Sequence, residues 1–345
     1  YGYAPKGFLI NYYDQQLLRD FLICLRRYYK KRNFVFIKFN PEIIIGETSK
    51  DRNFQMNYNG NVRLIDELKA INVKRRLELQ EFDLMQPRFN AYINLNNYSL
   101  SKLNRNYRKK IKQGINKGLS LCLGGPKDID ILYGFIKNNT KRPISYYRNI
   151  YNVFNRDNSI DLVMVKVDYQ KYLENVRDMY EKEQINNDKW NMIIQTDPRR
   201  KNLNAKMDSD KKLQGYKEEI IKATQGLKRN KIEYIAAALV IKHFNRVSIF
   251  MSGFSKEHAH LNPNHFLYYS ILERYKPYFN FCDMNGVSGN FTNTSAYKGL
   301  NDFKIKFNPT IYEFIGEFDL IVSDNIFKKL IKTSFIEDEF NKHKE

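Results

Sequence analysis

The sequence predicts a mixed α/β protein of more than one domain, and three observations carry that reading. Stretches with apolar residues three and four apart alternate along the chain with shorter ones that alternate at period two. A length of 345 residues with 42% apolar content suffices for two or three domains with buried cores. The 25 Tyr and 24 Phe, against 9 Pro and 16 Gly, exclude a disordered basic tail, which would be poor in aromatics.

The elements follow in order. Residues 14–31 open with Asp14 as N-cap and repeat apolar residues at helical spacing; FVFIKF at 34–39 then alternates up to Pro41, giving helix then strand. A second round predicts a short helix over 61–71, a strand over 88–95, a basic helix over 99–117 starting near Ser99, and a strand over 119–123. After Pro126 come helices at 127–139 and 145–155 and the strand SIDLVMVKV at 159–167, so a second mixed unit begins near residue 125. Between 168 and 231 the chain turns charged and helical. Tyr169, Leu173, Val176 and Tyr180 form one stripe and Leu213, Tyr216, Ile220, Ala223 and Leu227 another, which predicts an antiparallel helical hairpin broken at 196–202. Two amphipathic helices packed on the sheet are the alternative. A β-hairpin over 233–254 turning at Phe244 and Asn245, a helix over 264–276, a strand over 278–284, the loop NGVSGN and the alternating run 303–323 follow. The last twenty residues read as a polar helix.

Lys and Arg total 58 against 38 Asp and Glu, a formal net charge of +20, so an anionic partner is expected. The clearest feature is SKLNRNYRKKIKQGINKG at 101–118, which carries Lys102, Arg105, Arg108, Lys109, Lys110, Lys112 and Lys117 and no acid. Leu103, Tyr107, Ile111 and Ile115 supply its buried face, which turns the cations outward, where Arg105, Arg108, Lys109 and Lys112 become candidate phosphate contacts. A solvated face is the other reading. A second basic and aromatic cluster holds Lys141, Arg142, Tyr146, Tyr147, Arg148 and Tyr151. Arginine forks bind phosphate and tyrosines stack on bases, although tyrosines at helical spacing also fill cores.

Cys24, Cys122 and Cys282 each lie in or beside an apolar run and read as reduced core thiols. His258, His260 and His265 show no ligand spacing with cysteines or carboxylates, so no metal is expected. No apolar run reaches the ~18 residues of a membrane span, and the start YGYAPKG has no signal-peptide character, which points to the cytoplasm. The chain begins with Tyr, so a preceding N-terminal piece is expected. No nucleophile elbow, Walker A loop, dinucleotide fingerprint or acyl-CoA pyrophosphate loop is present.

Several segments together resemble the Fem family (FemA, FemB, FemX), the tRNA-dependent aminoacyltransferases that build the interpeptide bridge of bacterial peptidoglycan. They are YAPKGFLINYYD at 3–14, FNAYINL at 89–95 with the basic helix after it, and GLNDFKIKFNPTIYEFIGEFDL at 299–320. The inserted hairpin matches the FemA-like members. The resemblance implies tandem acetyltransferase-like (GNAT) subdomains: 1–124, lacking part of its start, and 125–167 with 232–323. It implies an arm at 168–231, beyond which 324–345 forms the C-terminal helix. It also implies transfer of an amino acid from aminoacyl-tRNA to an amine of a lipid-linked or nucleotide-linked precursor, at the inner face of the membrane, without a cofactor. Lys304, in the F-K position of the motif, is the expected oxyanion-stabilising cation, favoured over Lys306, which would share its face on a strand. Phe303, Arg142, Tyr146, Arg148 and Tyr151 are the expected substrate contacts. Two departures stand out: Asn94 replaces an aspartate common in the family, and Phe250 and Ser252 stand where some relatives carry tyrosine, so the proton acceptor is unassigned. A non-catalytic RNA-binding protein and an acyl-CoA-dependent N-acyltransferase are the alternatives.

Overall fold

The computed structural model describes residues 1–48, 54–76, 81–82 and 84–332. In chain order the elements are β1 (Gly2–Ala4), α1 (Gln15–Lys30), β2 (Phe36–Phe39), β3 (Ile44–Thr48), β4 (Met56–Tyr58), α2 (Arg63–Ala70), β5 (Val73–Arg76), β6 (Phe89–Asn94), α3 (Arg105–Asn116), β7 (Leu119–Gly124), α4 (Ile129–Ile136), α5 (Ile144–Phe154), β8 (Ile160–Asp168), α6 (Tyr169–Thr196), α7 (Arg200–Arg229), β9 (Ile232–His243), β10 (Arg246–Phe254), α8 (Pro263–Tyr275), β11 (Phe281–Val287), α9 (Lys298–Ile305), β12 (Thr310–Phe314), β13 (Glu317–Ile321) and α10 (Asp324–Lys332). The fold is mixed α/β. Two compact units result: Tyr1–Asn97 with Phe281–Glu345, and Tyr98–Asn280. Residues 98–124, expected in the first subdomain, therefore belong to the second unit, and 281–323 to the first.

In the first unit one sheet runs β1-β2-β13-β5, and a second set of neighbours runs β4-β3-β12-β6-β11. Helix α1 starts where expected because the Asp14 carboxylate accepts the Leu17 amide at 2.9 Å. Its Leu18 and Leu22 enter a core with Ile37, Phe39, Leu64, Leu68, Phe318 and Leu320. This unit also buries charge. Lys38, fully buried on β2, donates to Glu317 at 2.6 Å and Asp319 at 2.9 Å, while Arg76 bonds the other Asp319 oxygen. Arg88 reaches Glu313 at 2.8 Å. All the acids of the EFIGEFDL motif are thus engaged in ion pairs of this unit.

In the second unit the strands order β10-β9-β8-β7, all antiparallel. Helices α4 and α5 cover a core of Ile129, Leu132, Ile136, Tyr147, Tyr151, Leu162, Met164 and Leu239. The β9/β10 hairpin turns at the expected pair, with Phe244 at φ 50°. Helices α6 and α7 form the expected hairpin. Tyr169, Leu173, Val176 and Ala223 are buried, whereas Tyr180, Leu213, Tyr216, Ile220 and Leu227 are half-buried. Further along, buried Asn187 donates to Ser209 Oγ and Asp210, and Ser209 to Glu183, a polar layer that the apolar stripes did not announce.

Several expectations are corrected. Helix α3 begins after Asn104, whose side chain caps it; Ser99 instead caps a separate turn at 100–102. Leu103, Tyr107 and Ile111 are buried as expected, but Ile115 is exposed and Gly114 takes its place against Leu119 and Phe266. Lys117 does not project outward: it is buried and paired with Glu219. Cys282 is buried and Cys122 half-buried, but Cys24 lies on the exposed side of α1. The strand expected over 278–284 runs from Phe281 to Val287, and residues 303–305, expected to open the alternating run, end a helix over Lys298–Ile305. Of the expected C-terminal helix, 333–345 lies outside the described residues.

Candidate active site

The first unit gathers its unusual chemistry around α9. Strand β6 runs between β12 and β11, and the register sets Asn90 opposite Tyr312 on one side and Gly286 on the other; one step along, Tyr92 lies between Thr310 and Asp283. Paired residues of neighbouring strands present their side chains on one face, and the Tyr92 and Tyr312 rings accordingly meet edge-on at 5.4 Å. β11 departs from regular pairing between Asp283 and Gly286, and a bulge of this kind re-aims backbone groups.

The Gly286 carbonyl accepts the ammonium of Lys304 at 2.6 Å. Gly286 has to be glycine, because a Cβ there would stand 2.6 Å from the Pro87 ring. Lys304 is 4% exposed. Burial pushes its pKa down from 10.5 to about 8, opposed by the attraction of the nearby Asp283 carboxylate. The shift corresponds to about 3 kcal/mol of disfavoured charge. Lys306 by contrast is exposed at the helix end. A helix rather than a strand therefore separates the two lysines: residues two apart do not share a helical face. Phe303, half-buried, packs its ring on Phe307 at 5.4 Å one turn on.

One turn before Lys304, Asn301 pins the loop that follows β11. Its side chain accepts the Ser288 amide at 3.1 Å and donates to Ser288 Oγ and the Asn290 carbonyl, each at 2.8 Å. Beyond it, Glu81 receives the Ser295 hydroxyl at 2.5 Å and the Asn290 amide at 2.8 Å. The Ser295 bond is the chief cause holding the Glu81 carboxyl below its usual range. Gly289, at φ +76° and tight against Phe89, supplies the turn. The loop thus holds the carbonyl that Lys304 uses, and α9 holds the loop. This arrangement presents a desolvated cation on a fixed backbone acceptor, near the buried Asp283 carboxylate. It suits stabilisation of a developing oxyanion and requires no nucleophile on the protein.

Asn301, Asp283, Ser288, Glu81 and Asn90 were not singled out from sequence. The available signals were the glycine loop NGVSGN and a lone acid inside the apolar strand YFNFCDM.

The other expected contacts, Arg142, Tyr146, Arg148, Tyr151 and the α3 cations, belong to the second unit. Arg142 stacks on the Tyr146 ring at 5.0 Å, and Arg148 pairs with Asp130 at 2.6 Å on the surface. Tyr151 is buried in the core beside Tyr147. On α3, Arg105, Lys109 and Lys112 are exposed, and half-buried Arg108 has a buried Nε without a hydrogen-bond partner among the described residues. Asn94 is exposed and caps the Asn96 amide, and Ser252 bonds the Tyr268 hydroxyl at 3.1 Å. His258 is buried between Tyr169, Glu233 and Ser255, at the base of the helical hairpin.

Comparison with known proteins identifies the family. The family model described as FemAB family matches residues 1–332. The chain is 22% identical over 341 residues to the lipid II:glycine glycyltransferase of Staphylococcus aureus, covering 94% of this chain and 78% of that protein. It is 22% identical over 337 residues to the aminoacyltransferase FemA of Staphylococcus epidermidis, covering 92% and 79%. The crystal structure of FemX superposes with a TM-score of 0.71 at 20% identity, over 95% of this chain and 82% of that one.

Proposed function

The chain belongs to the FemAB family, and from that premise we propose that it transfers an amino acid from aminoacyl-tRNA to an amine on the stem peptide of a peptidoglycan precursor. The names of its relatives support the reading, one being a lipid II:glycine glycyltransferase and another an aminoacyltransferase. An aminoacyl ester is already activated. Attack by an amine needs approach and charge stabilisation, and the protein has to supply orientation and a cation. The observation that carries the reading is Lys304, buried and fixed on the Gly286 carbonyl in the family's motif.

In this reading Lys304 faces the oxyanion that forms as the ester carbonyl is attacked. The two compact units correspond to tandem acetyltransferase-like subdomains, and α6 with α7 to the family's arm. Arg105, Arg108, Lys109 and Lys112 engage tRNA phosphates; Phe303 contacts substrate in the first unit, and Arg142, Tyr146 and Arg148 are the second unit's substrate contacts, whereas Tyr151 packs in that unit's core. Among the described residues no helix is long and apolar enough to cross a membrane, and a lipid-linked precursor would be met at the cytoplasmic membrane face. The test is incubation of the protein with mixed aminoacyl-tRNAs and a precursor bearing a free side-chain amine, with mass analysis of the product. A mass gain of one or more amino-acid residues is the expected result. Binding of tRNA without any product would favour a non-catalytic RNA-binding role instead.

A further inference from the structure

Asn90 is 5% exposed, on the middle strand of the row that carries the Lys304 acceptor. Its Oδ1 is fully buried and has no hydrogen-bond partner among the described residues. A buried acceptor without a donor costs about 1–3 kcal/mol, so such an atom calls for a donor from outside the chain, whether a water, an ion or a ligand. The position is specific: Asn90 pairs with Gly286, whose carbonyl holds Lys304, and shares its face with Tyr92, Tyr312 and Asp283. Glu47 lies opposite Tyr312 on β3, and burial, helped by the Glu47 charge, pushes the pKa of the Tyr312 hydroxyl up. A face with an empty carbonyl-type acceptor, two carboxylates and two tyrosine rings is built for a nitrogen donor.

We propose that Asn90 Oδ1 is the docking point of the acceptor's nucleophilic amine, which makes Asn90 the residue that reads the acceptor. The inference rests on the transferase reading and deepens it. With an amine on Asn90, the neighbouring Lys304 cation disfavours its protonated form, because like charges depress each other's protonation. The neutral amine is the nucleophile. Its nitrogen bonds to the carbonyl carbon of the aminoacyl ester, the ester C–O bond to the tRNA ribose breaks, and the amine's proton passes to the leaving ribose oxygen. The balance requires no external base.

Two arms test the proposal, both on the full chain, with a nucleotide-linked precursor bearing a free side-chain amine as probe. In the kinetic arm, Asn90→Leu should lose tenfold or more in kcat/KM for the acceptor, with KM for aminoacyl-tRNA unchanged. Asn90→Asp should retain binding but require higher pH, because the added charge stabilises the ammonium. In the binding arm, the wild type should prefer the free amine over its N-acetylated form, and Asn90→Leu should lose that preference. Should Asn90→Leu fail to fold, Asn90→Ser and Asn90→Asp carry both arms. Equal affinity of the wild type for free and acetylated precursor overturns the proposal, as does an unchanged acceptor kcat/KM in a folded variant. A wild type that discriminates the amine yet transfers nothing would retain the subsite and reject the transferase reading.

Discussion

The two compact units handle positive charge in opposite ways. The first takes cations inside: Lys38 between Glu317 and Asp319, Arg88 against Glu313, and Lys304 on a carbonyl near Asp283. The second wraps an apolar core and leaves Arg105, Lys109 and Lys112 of α3 exposed; among the α3 region's cations Lys117 alone is described as both buried and ion-paired. Desolvated charge is expensive unless paired, and it responds strongly to its surroundings. Solvated charge is cheap to hold, screened by salt, and suited to a polyanion. The difference teaches that the net charge of +20 has two physical forms, a few desolvated cations in one unit and a row of solvated ones in the other, to which the proposed function assigns reactivity and affinity respectively.

Breaking the interior pairing should have the largest effect. Lys38→Ala leaves the Glu317 and Asp319 carboxylates buried around an absent cation, and a loss of about 3–5 kcal/mol of unfolding free energy is expected. Chemical denaturation measures it; a loss below 1 kcal/mol would mean that the pair is relaxed by water.

The second effect is a pH dependence. The folded-state pKa of Lys304, about 8, lies below its unfolded value near 10.4. Between those limits the unfolded chain binds more protons, so stability rises with pH from 8 to 10.4, by about 3 kcal/mol from this group. The gain is absent below the folded pKa. Lys304→Met should remove that rise, as the difference between wild-type and variant denaturation curves at pH 7 and pH 10 will report. Parallel curves would show that Lys304 is not desolvated.

A smaller change sharpens the site. Asn301→Leu removes three hydrogen bonds to the loop after β11, which should cost about 1–3 kcal/mol. It should also move the apparent ionisation of Lys304, because the Gly286 carbonyl is no longer held. Stability loss with an unmoved ionisation would make Asn301 a purely structural residue.

The smallest change in stability belongs to the exposed row. Replacement of Arg105, Arg108, Lys109 and Lys112 by Ala should leave folding within about 0.5 kcal/mol per site. The log–log slope of tRNA affinity against salt should flatten by roughly one unit per lost contact. An unchanged slope would return α3 to a solvated face.

The legible parts of the fold were those fixed by local signals. Asp14 before an amphipathic stretch gave α1, Phe244 and Asn245 gave the hairpin turn, and spacings of three and four gave α6 and α7. Errors arose where one pattern fits two periods. FKIKF alternates like a strand, yet Phe303 and Phe307 are also one helical turn apart, and their ring contact belongs to the helix and the turn that ends it. Ile115 and Cys24 continued apolar runs past the edge of what the neighbours cover. At the site, the motif revealed Lys304 but not its partners, because Gly286, Asp283 and Asn90 meet through strand register, which the sequence of each strand does not state. Lys38 in FIKF looked like an ordinary alternating strand for the same reason: its acids lie far along the chain.

The most direct test of the central claim, that a buried lysine supplies the charge for transfer, is turnover of Lys304→Ala and Lys306→Ala side by side under saturating aminoacyl-tRNA and precursor. Loss of such a donor should lower turnover about a hundredfold or more in Lys304→Ala, with tRNA affinity unchanged, while the exposed Lys306 variant stays within a few-fold of wild type. Wild-type turnover in a folded Lys304→Ala protein would contradict the assignment and remove the chemical role given to the first unit.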